Sequence, residues 1–344
     1  MPALAPFVPD IAVPLTLAQL HGFVRHPAQA FFRHRLNVRF EQDEQVTFDE
    51  EAFGVEGLAA YGFVQQLQLQ VVADIEAAPQ QLGSATLEQR VAAHLARIQR
   101  AGALPLAGLG ERKRAELQAA VVPSLQSWLA HRSLLDRPVQ RQRLHLELDG
   151  LVFEDWLDDL RVPDRDGEAV PAWLELQPRA LLGNKGEVRP ASVLLPYLRS
   201  LVAAACGVLV QGIVAGRDAT LVMQPMPQGE ALAQCQTLLQ VWQAGQDSPL
   251  PLPLKTALAA AAGEDLARAE TAYEGDGFTQ DGEADDACWA RLFPDFEALT
   301  EDGRFVPLAE AVHAPLLAWL ANHVQVLEPG AVAPTMDLPP LELA

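Results

Sequence analysis

Two carboxylates and a lysine at the ends of neighbouring strands can bind Mg²⁺ through oxygen ligands and orient a water for attack on a phosphodiester. The stretch 142–207 has the layout of such a site. An alternating apolar run at 144–148 is followed by 154–160, by a second apolar run at 172–176 and by a helix-like stretch at 192–206. Where the second strand should offer an acid and, two residues on, a lysine, the chain reads Leu176-Gln177-Pro178. That triplet carries no charge and holds no metal. An offset register nominates Asp158, Glu175 and Lys185 instead. Strand alternation opposes it, because Glu175 points away from the side of Leu174 and Leu176, and Lys185 lies in the turn Gly183-Asn184-Lys185-Gly186.

Other reactive constellations are weaker. Glu147, Asp149, Glu154, Asp155, Asp158 and Asp159 are dense enough for an acidic metal cluster, but alternation sends Glu147 and Asp149 to solvent and the others flank a turn. A hydrated edge is the simpler account. His21, His26 and His34 share one helical stretch at spacings of five and eight, which miss the i,i+4 pair that a metal on one helix face requires. No serine stands in a GxSxG context, and Cys206, Cys235 and Cys288 lie far apart without CxxC spacing, which argues against covalent catalysis, disulfides and zinc. Six tryptophans are scattered rather than paired with arginines, as core or interface residues would be. Trp156, near the end of a predicted hairpin over 151–161, is the candidate for an aromatic protrusion; burial beside a small sheet is the plainer alternative.

The elements that must position these residues change character along the chain. Helical spacing runs through 15–32, with Thr16 as N-cap and a kink or restart at Pro27, and recurs at 57–72, 87–100 and 111–135. From Gln140 alternation takes over: Leu144, Leu146 and Leu148 face one way, His145, Glu147 and Asp149 the other. Further strands are predicted at 208–214 and 219–224, then helices at 228–244, 255–273 and 308–323, with 274–286 as an exposed acidic loop. These divide the chain into a helical cap (1–136), an α/β core (137–226), a C-terminal helical part (227–327) and a flexible tail (328–344). No internal repeat is seen.

Formal charge is −20. Residues 1–200 carry 20 basic and 25 acidic side chains and residues 201–344 carry 5 and 20, so a nucleic-acid contact is expected in the first part. Only Lys113, Lys185 and Lys255 are lysines. The arginines cluster at Arg33, Arg35 and Arg39 and at Arg137, Arg141 and Arg143, and their planar forks suit phosphates and interfacial carboxylates alike. An ordinary solvated surface is the alternative. The N-terminus has no basic segment with an apolar core of signal length, and no stretch of about 18 apolar residues is free of charge or proline. A reducing cytoplasm and no membrane contact are expected.

Several segments together resemble one family, the C-terminal region of the gamma subunit (RecC) of exodeoxyribonuclease V. Residues 17–36, LAQLHGFVRHPAQAFFRHRL, are similar to that family's "L..F.RHPAQAFF..RL" segment; 245–255 are similar to its helix-end glycine followed by "PLP…K", and 272–293 to its acidic loop and following helix. The order agrees across nearly the whole chain. The resemblance implies an α/β (α+β) fold with a helical N-terminal cap on a small mixed sheet. The resemblance further implies a degenerate restriction-endonuclease-like, PD-(D/E)XK fold of the type in the RecB partner. Carried over, the position of the catalytic histidine falls on Gln66, the first acid on Asp158, and the second acid and lysine on Leu176 and Pro178. The implied role is a non-catalytic scaffold in DNA end processing and double-strand break repair, with RecB-type and RecD-type subunits and DNA as partners. Mg²⁺ and ATP would be used by those subunits, and no GxxxxGK[ST] loop occurs here. The alternative is an active Mg-dependent exonuclease using Asp158, Glu175 and Lys185.

Overall fold

A computed structural model describes residues 5–10, 12–40, 57–77, 84–102, 104, 107–163, 169–263, 265–277 and 281–332. The chain opens with α1 (Leu17–Arg25) and α2 (Pro27–Arg35). Thr16 and Gln19 form a reciprocal capping box at the start of α1. His26 ends α1 and caps α2, with Pro27 in the first turn, where its missing N–H costs nothing. The restart at Pro27 is as the sequence predicts.

Three long helices follow, α3 (Gly57–Ala77), α4 (Ser84–Arg100) and α5 (Ala107–Leu134). The strands are β1 (Arg137–Pro138), β2 (Gln142–Leu148), β3 (Leu151–Leu157), β4 (Arg161–Val162) and β5 (Ala172–Leu176). A 3-10 turn at Pro190–Val193 leads into α6 (Leu194–Ala205), then β6 (Gln211–Ala215) and β7 (Thr220–Met223). The C-terminal part holds α7 (Gln228–Asp247), α8 (Leu254–Ala261), α9 (Leu266–Glu274), α10 (Ala287–Leu292), α11 (Phe296–Thr300), α12 (Phe305–His323) and β8 (Val324–Leu327).

The main sheet is mixed, in the order β1-β4-β5-β6-β7-β8. Among the described strands only β5 and β6 pair in parallel, because α6 carries the chain back across the sheet between them. Both faces are covered, so β6 and β7 are buried at every residue. On one face Trp173 joins a large cluster with Leu20, Phe23, Tyr197, Leu201 and Trp319; on the other, Leu174 and Leu176 pack against Val64, Leu67, Val121 and Leu125 of the α3–α5 layer. The first helix pair therefore packs on α6 and α7, on the opposite face of the sheet from α3–α5.

Three expectations need correction. The predicted helix over 255–273 is two, because Ala262 ends α8 and Gly263 takes φ +71°. The predicted exposed loop over 274–286 contains a 3-10 turn, Glu283–Asp285, whose Glu283 carboxylate is tucked beneath the start of α8. Gly282 permits this approach, since a Cβ there would lie 2.3 Å from the Tyr273 carbonyl oxygen. The hairpin is β2–β3, turning at Asp149-Gly150, rather than 151–161. The tail segment 333–344 lies outside the described residues. No helix among those described is long and apolar enough to cross a membrane.

Candidate functional site

The end of β5 gathers Trp173, Glu175 and Gln177 with Arg199 of α6. Trp173 and Glu175 point to the same side of the strand, opposite Leu174 and Leu176. The Arg199 guanidinium, from α6, reaches back to Glu175 with Nη1 3.0 Å from Oε2 and lies over the Trp173 ring at 4.6 Å. Gln177 Nε2 donates to the other carboxylate oxygen, Oε1, at 2.9 Å. Room for the indole comes from Gly212, its register partner on β6, where a Cβ would sit 2.3 Å from the ring. Both oxygens of Glu175 are thus engaged within the protein. Two residues after this acid stands a neutral amide, Gln177.

The remaining nominated positions scatter. Leu176 packs on the α3–α5 layer and Pro178 follows the strand. Gln66 faces solvent; the buried glutamine of α3 is Gln68, whose Nε2 donates to Ser124 Oγ at 3.0 Å and to the Gln177 carbonyl at 3.4 Å. Gln68 was legible in principle, because it lies on the stripe formed by Val64, Leu67, Val71 and Ile75. Asp158 is exposed just past β3, which belongs to the two-stranded ribbon and not to the sheet of Glu175. Lys185 is exposed in its turn, where its N–H donates to Glu187. Among the described residues, no group of three or more His, Cys, Asp and Glu is placed to share a metal ion.

The dense acids of the ribbon each have other partners. Glu154 pairs with Arg143 at 2.7 Å, which lowers its carboxyl pKa, and Glu147 accepts from His145 at 3.1 Å. Asp149 accepts from Gln236 and Gln240 of α7, anchoring the hairpin tip, and Asp155 accepts from the N–H of Leu17 at the start of α1. Trp156 stands opposite Arg143 near the open end of the ribbon rather than at its tip, and it is 41% exposed. Arg141 covers one face of its ring at 4.1 Å. A tip bound to α7 is no free protrusion, and the exposed ring is no core residue.

Of the arginine clusters, Arg35 is spent on the carbonyls of Gln246 and Ala5, while Arg33, Arg39 and Arg137 are exposed. The histidines also separate. His34 is exposed, whereas His26 accepts the Gln29 N–H through Nδ1, approaches Asp286 through Nε2 at 3.2 Å and stacks on Trp289. Burial raises the Asp286 pKa, but His26 and the N–H groups of Cys288 and Trp289 outweigh it and hold the carboxyl at about 2. This contact joins the segment 17–36 to the segment 272–293, the two stretches that carried most of the resemblance. Arg199 was not singled out from the sequence, and Asp286 entered only as part of the segment 272–293, because their partners are tens or hundreds of residues away.

Residues 12–265 match the family model described as "RecC C-terminal domain". The RecBCD enzyme subunit RecC of Escherichia coli (strain K12) is 27% identical over 334 residues, an alignment covering 87% of this chain and 26% of that protein. The chain therefore spans about a quarter of the length of the curated relative it matches. With that match running from the capped α1 through the Glu175 strand to the end of α8, the chain belongs to the RecC C-terminal domain family.

Proposed function

We propose that this chain is a non-catalytic scaffold within a RecBCD-type helicase-nuclease, built on a degenerate restriction-endonuclease-like core. In this reading it binds RecB-type and RecD-type subunits in the cytoplasm and helps guide separated DNA strands during end processing and recombinational double-strand break repair. Unwinding, ATP use and Mg²⁺-dependent cleavage belong to the partner subunits. The observation that carries the reading is the state of Glu175: its carboxylate is neutralised by Arg199, and the residue two positions on is Gln177. A carboxylate already paired with a guanidinium is a poor Mg²⁺ ligand, and an amide cannot supply the positive charge of a lysine.

The acidic half of the chain supports a partner-binding role. Residues 201–344 hold 20 acidic and 5 basic side chains, a surface suited to steering basic partner faces more than to raising affinity. Co-expression with RecB-type and RecD-type subunits followed by affinity purification tests the scaffold: stoichiometric recovery is expected, and its absence sinks the reading. The purified chain is also assayed on linear duplex DNA with Mg²⁺ or Mn²⁺. No digestion is expected; digestion that Asp158→Ala abolishes would establish an exonuclease instead.

A further inference from the structure

The main sheet has two edges, and they are finished differently. One is β1, two exposed residues of which the second is Pro138, too short to extend a ladder and lacking a donor. The other is β8, Val324-Gln325-Val326-Leu327, which carries no charge and no proline and pairs with β7 in an unbroken register. One bond fixes the direction of its backbone groups. The Gln224 N–H donates to the His323 carbonyl at 2.8 Å, so the pairs in phase with it, Val222 with Gln325 and Thr220 with Leu327, face each other across the ladder. Val324 and Val326 alternate with them and turn their N–H and C=O groups outward. Among the described residues nothing meets those groups; Gln325 is exposed, and Val326 is 44% exposed. A row of unpaired donors and acceptors is a template for another strand.

Charge decides what that strand can be. From Ala219 to Glu230 and from Phe305 to Val332, the stretches that hold β7, α12 and β8, the acidic residues are Glu230, Glu310 and Glu328, and neither stretch has a lysine or arginine. Arg217, in the turn before β7, has interactions of its own within the chain. A second copy would bring one formal charge of −20 against another. An extended segment with apolar residues at alternate positions, continuing the row of Val324 and Val326, and with lysine or arginine at its flanks satisfies both the ladder and the acidic surround.

We propose that β8 is a docking edge on which an extended segment of a partner subunit, flanked by lysine or arginine, adds a further strand to the sheet. Main-chain bonds to Val324 and Val326 supply the affinity, and the acidic surround steers the approach. The proposal rests on the reading of this chain as a scaffold and says where one partner is held.

Val326→Pro separates the edge from the fold. Proline removes the outward N–H of residue 326, which takes no part in the β7 ladder, so the pairing with β7 keeps all its bonds. Val326→Thr keeps both the N–H and the branched shape. Binding of the full chain to purified RecB-type subunit and to purified RecD-type subunit is measured by interferometry over a range of salt, with urea midpoints to check folding. For one of the two subunits Val326→Pro should weaken binding about tenfold or more and Val326→Thr by less than about twofold. Parental association should slow as salt rises. Hydrogen exchange on the parent, free and bound, should show the Val324 and Val326 amides protected only in the complex, a readout that stands even where the proline variant fails to fold. Parental binding by folded Val326→Pro, or amides left unprotected in the complex, would overturn the docking edge. So would a dimer of the chain alone that Val326→Pro dissolves, which would assign the edge to a second copy. A parent that binds neither subunit removes the scaffold reading and the edge with it, whereas binding that is indifferent to the edge removes the edge alone.

Discussion

The carboxylate of Glu283 caps α8 from a turn 27 residues further along the chain: Oε2 accepts the Thr256 N–H at 2.9 Å and the Thr256 hydroxyl at 2.8 Å. Oε1 accepts the Lys255 N–H at 3.1 Å. The cap itself, Pro253, makes no side-chain hydrogen bond, so Glu283 satisfies donors that α8 cannot satisfy locally. Glu283→Ala should cost about 1–3 kcal/mol by leaving buried N–H groups unpaired, and Glu283→Gln, which keeps an acceptor, clearly less. Urea denaturation of both variants checks this; equal losses would show that the hydrogen bonds are not the source.

Arg199 and Glu175 should couple. The pair is partly buried, at 25% and 24% exposure, and the guanidinium also stacks on Trp173. A double-mutant cycle with Arg199→Ala and Glu175→Gln is expected to give an interaction of about 1 kcal/mol. Arg199→Ala should be the worse single change, because it leaves a carboxylate without its cation and uncovers an indole. In the assembled complex Glu175→Gln should leave nuclease activity unchanged, and a loss of cleavage would contradict the scaffold reading.

Gly212 is expected to be intolerant of a methyl group. Its ideal Cβ would lie 2.3 Å from the Trp173 ring, on a strand buried at every position. Gly212→Ala should destabilise the fold by about 1–3 kcal/mol through overpacking and should shift the tryptophan emission as Trp173 is displaced. A variant with parental stability and emission would show that the ring moves aside freely.

Acid should weaken the fold before the carboxylates protonate. His21 and His313 are both lowered from 6.5 to about 4, His313 by burial alone and His21 by burial together with Arg25 and Arg179. With the folded pKa below the unfolded one, the unfolded chain binds more protons between pH 6.5 and 4. Stability is therefore full above pH 6.5 and falls as pH drops through that window. Both ring nitrogens of His313 are buried without a hydrogen-bond partner, so His313→Leu should flatten the profile and raise the denaturation midpoint at pH 5. Urea midpoints between pH 8 and 4.5 decide this, and an unchanged slope in the variant would assign the acid sensitivity elsewhere.

Local chemistry alone determined much of this protein. The N-cap at Thr16, the restart at Pro27, the helical stretches that become α1–α5 and the alternation of β2 are written in residues no more than a few positions apart, and the segment 17–36 announced the family. The absence of a lysine at positions 176–178, after the strand at 172–176, was also readable from the residues alone. What only the tertiary structure decided is where charges end up. Arg199 meets Glu175 because α6 folds back over the sheet, Glu283 reaches α8 from a segment that reads as solvent-exposed, and His26 meets Asp286 because α2 packs on α10. Helices and strands follow from periodicities of 3.6 and 2 residues, whereas an ion pair or a buried cap depends on which faces meet, and that is set by burial of the whole core at once.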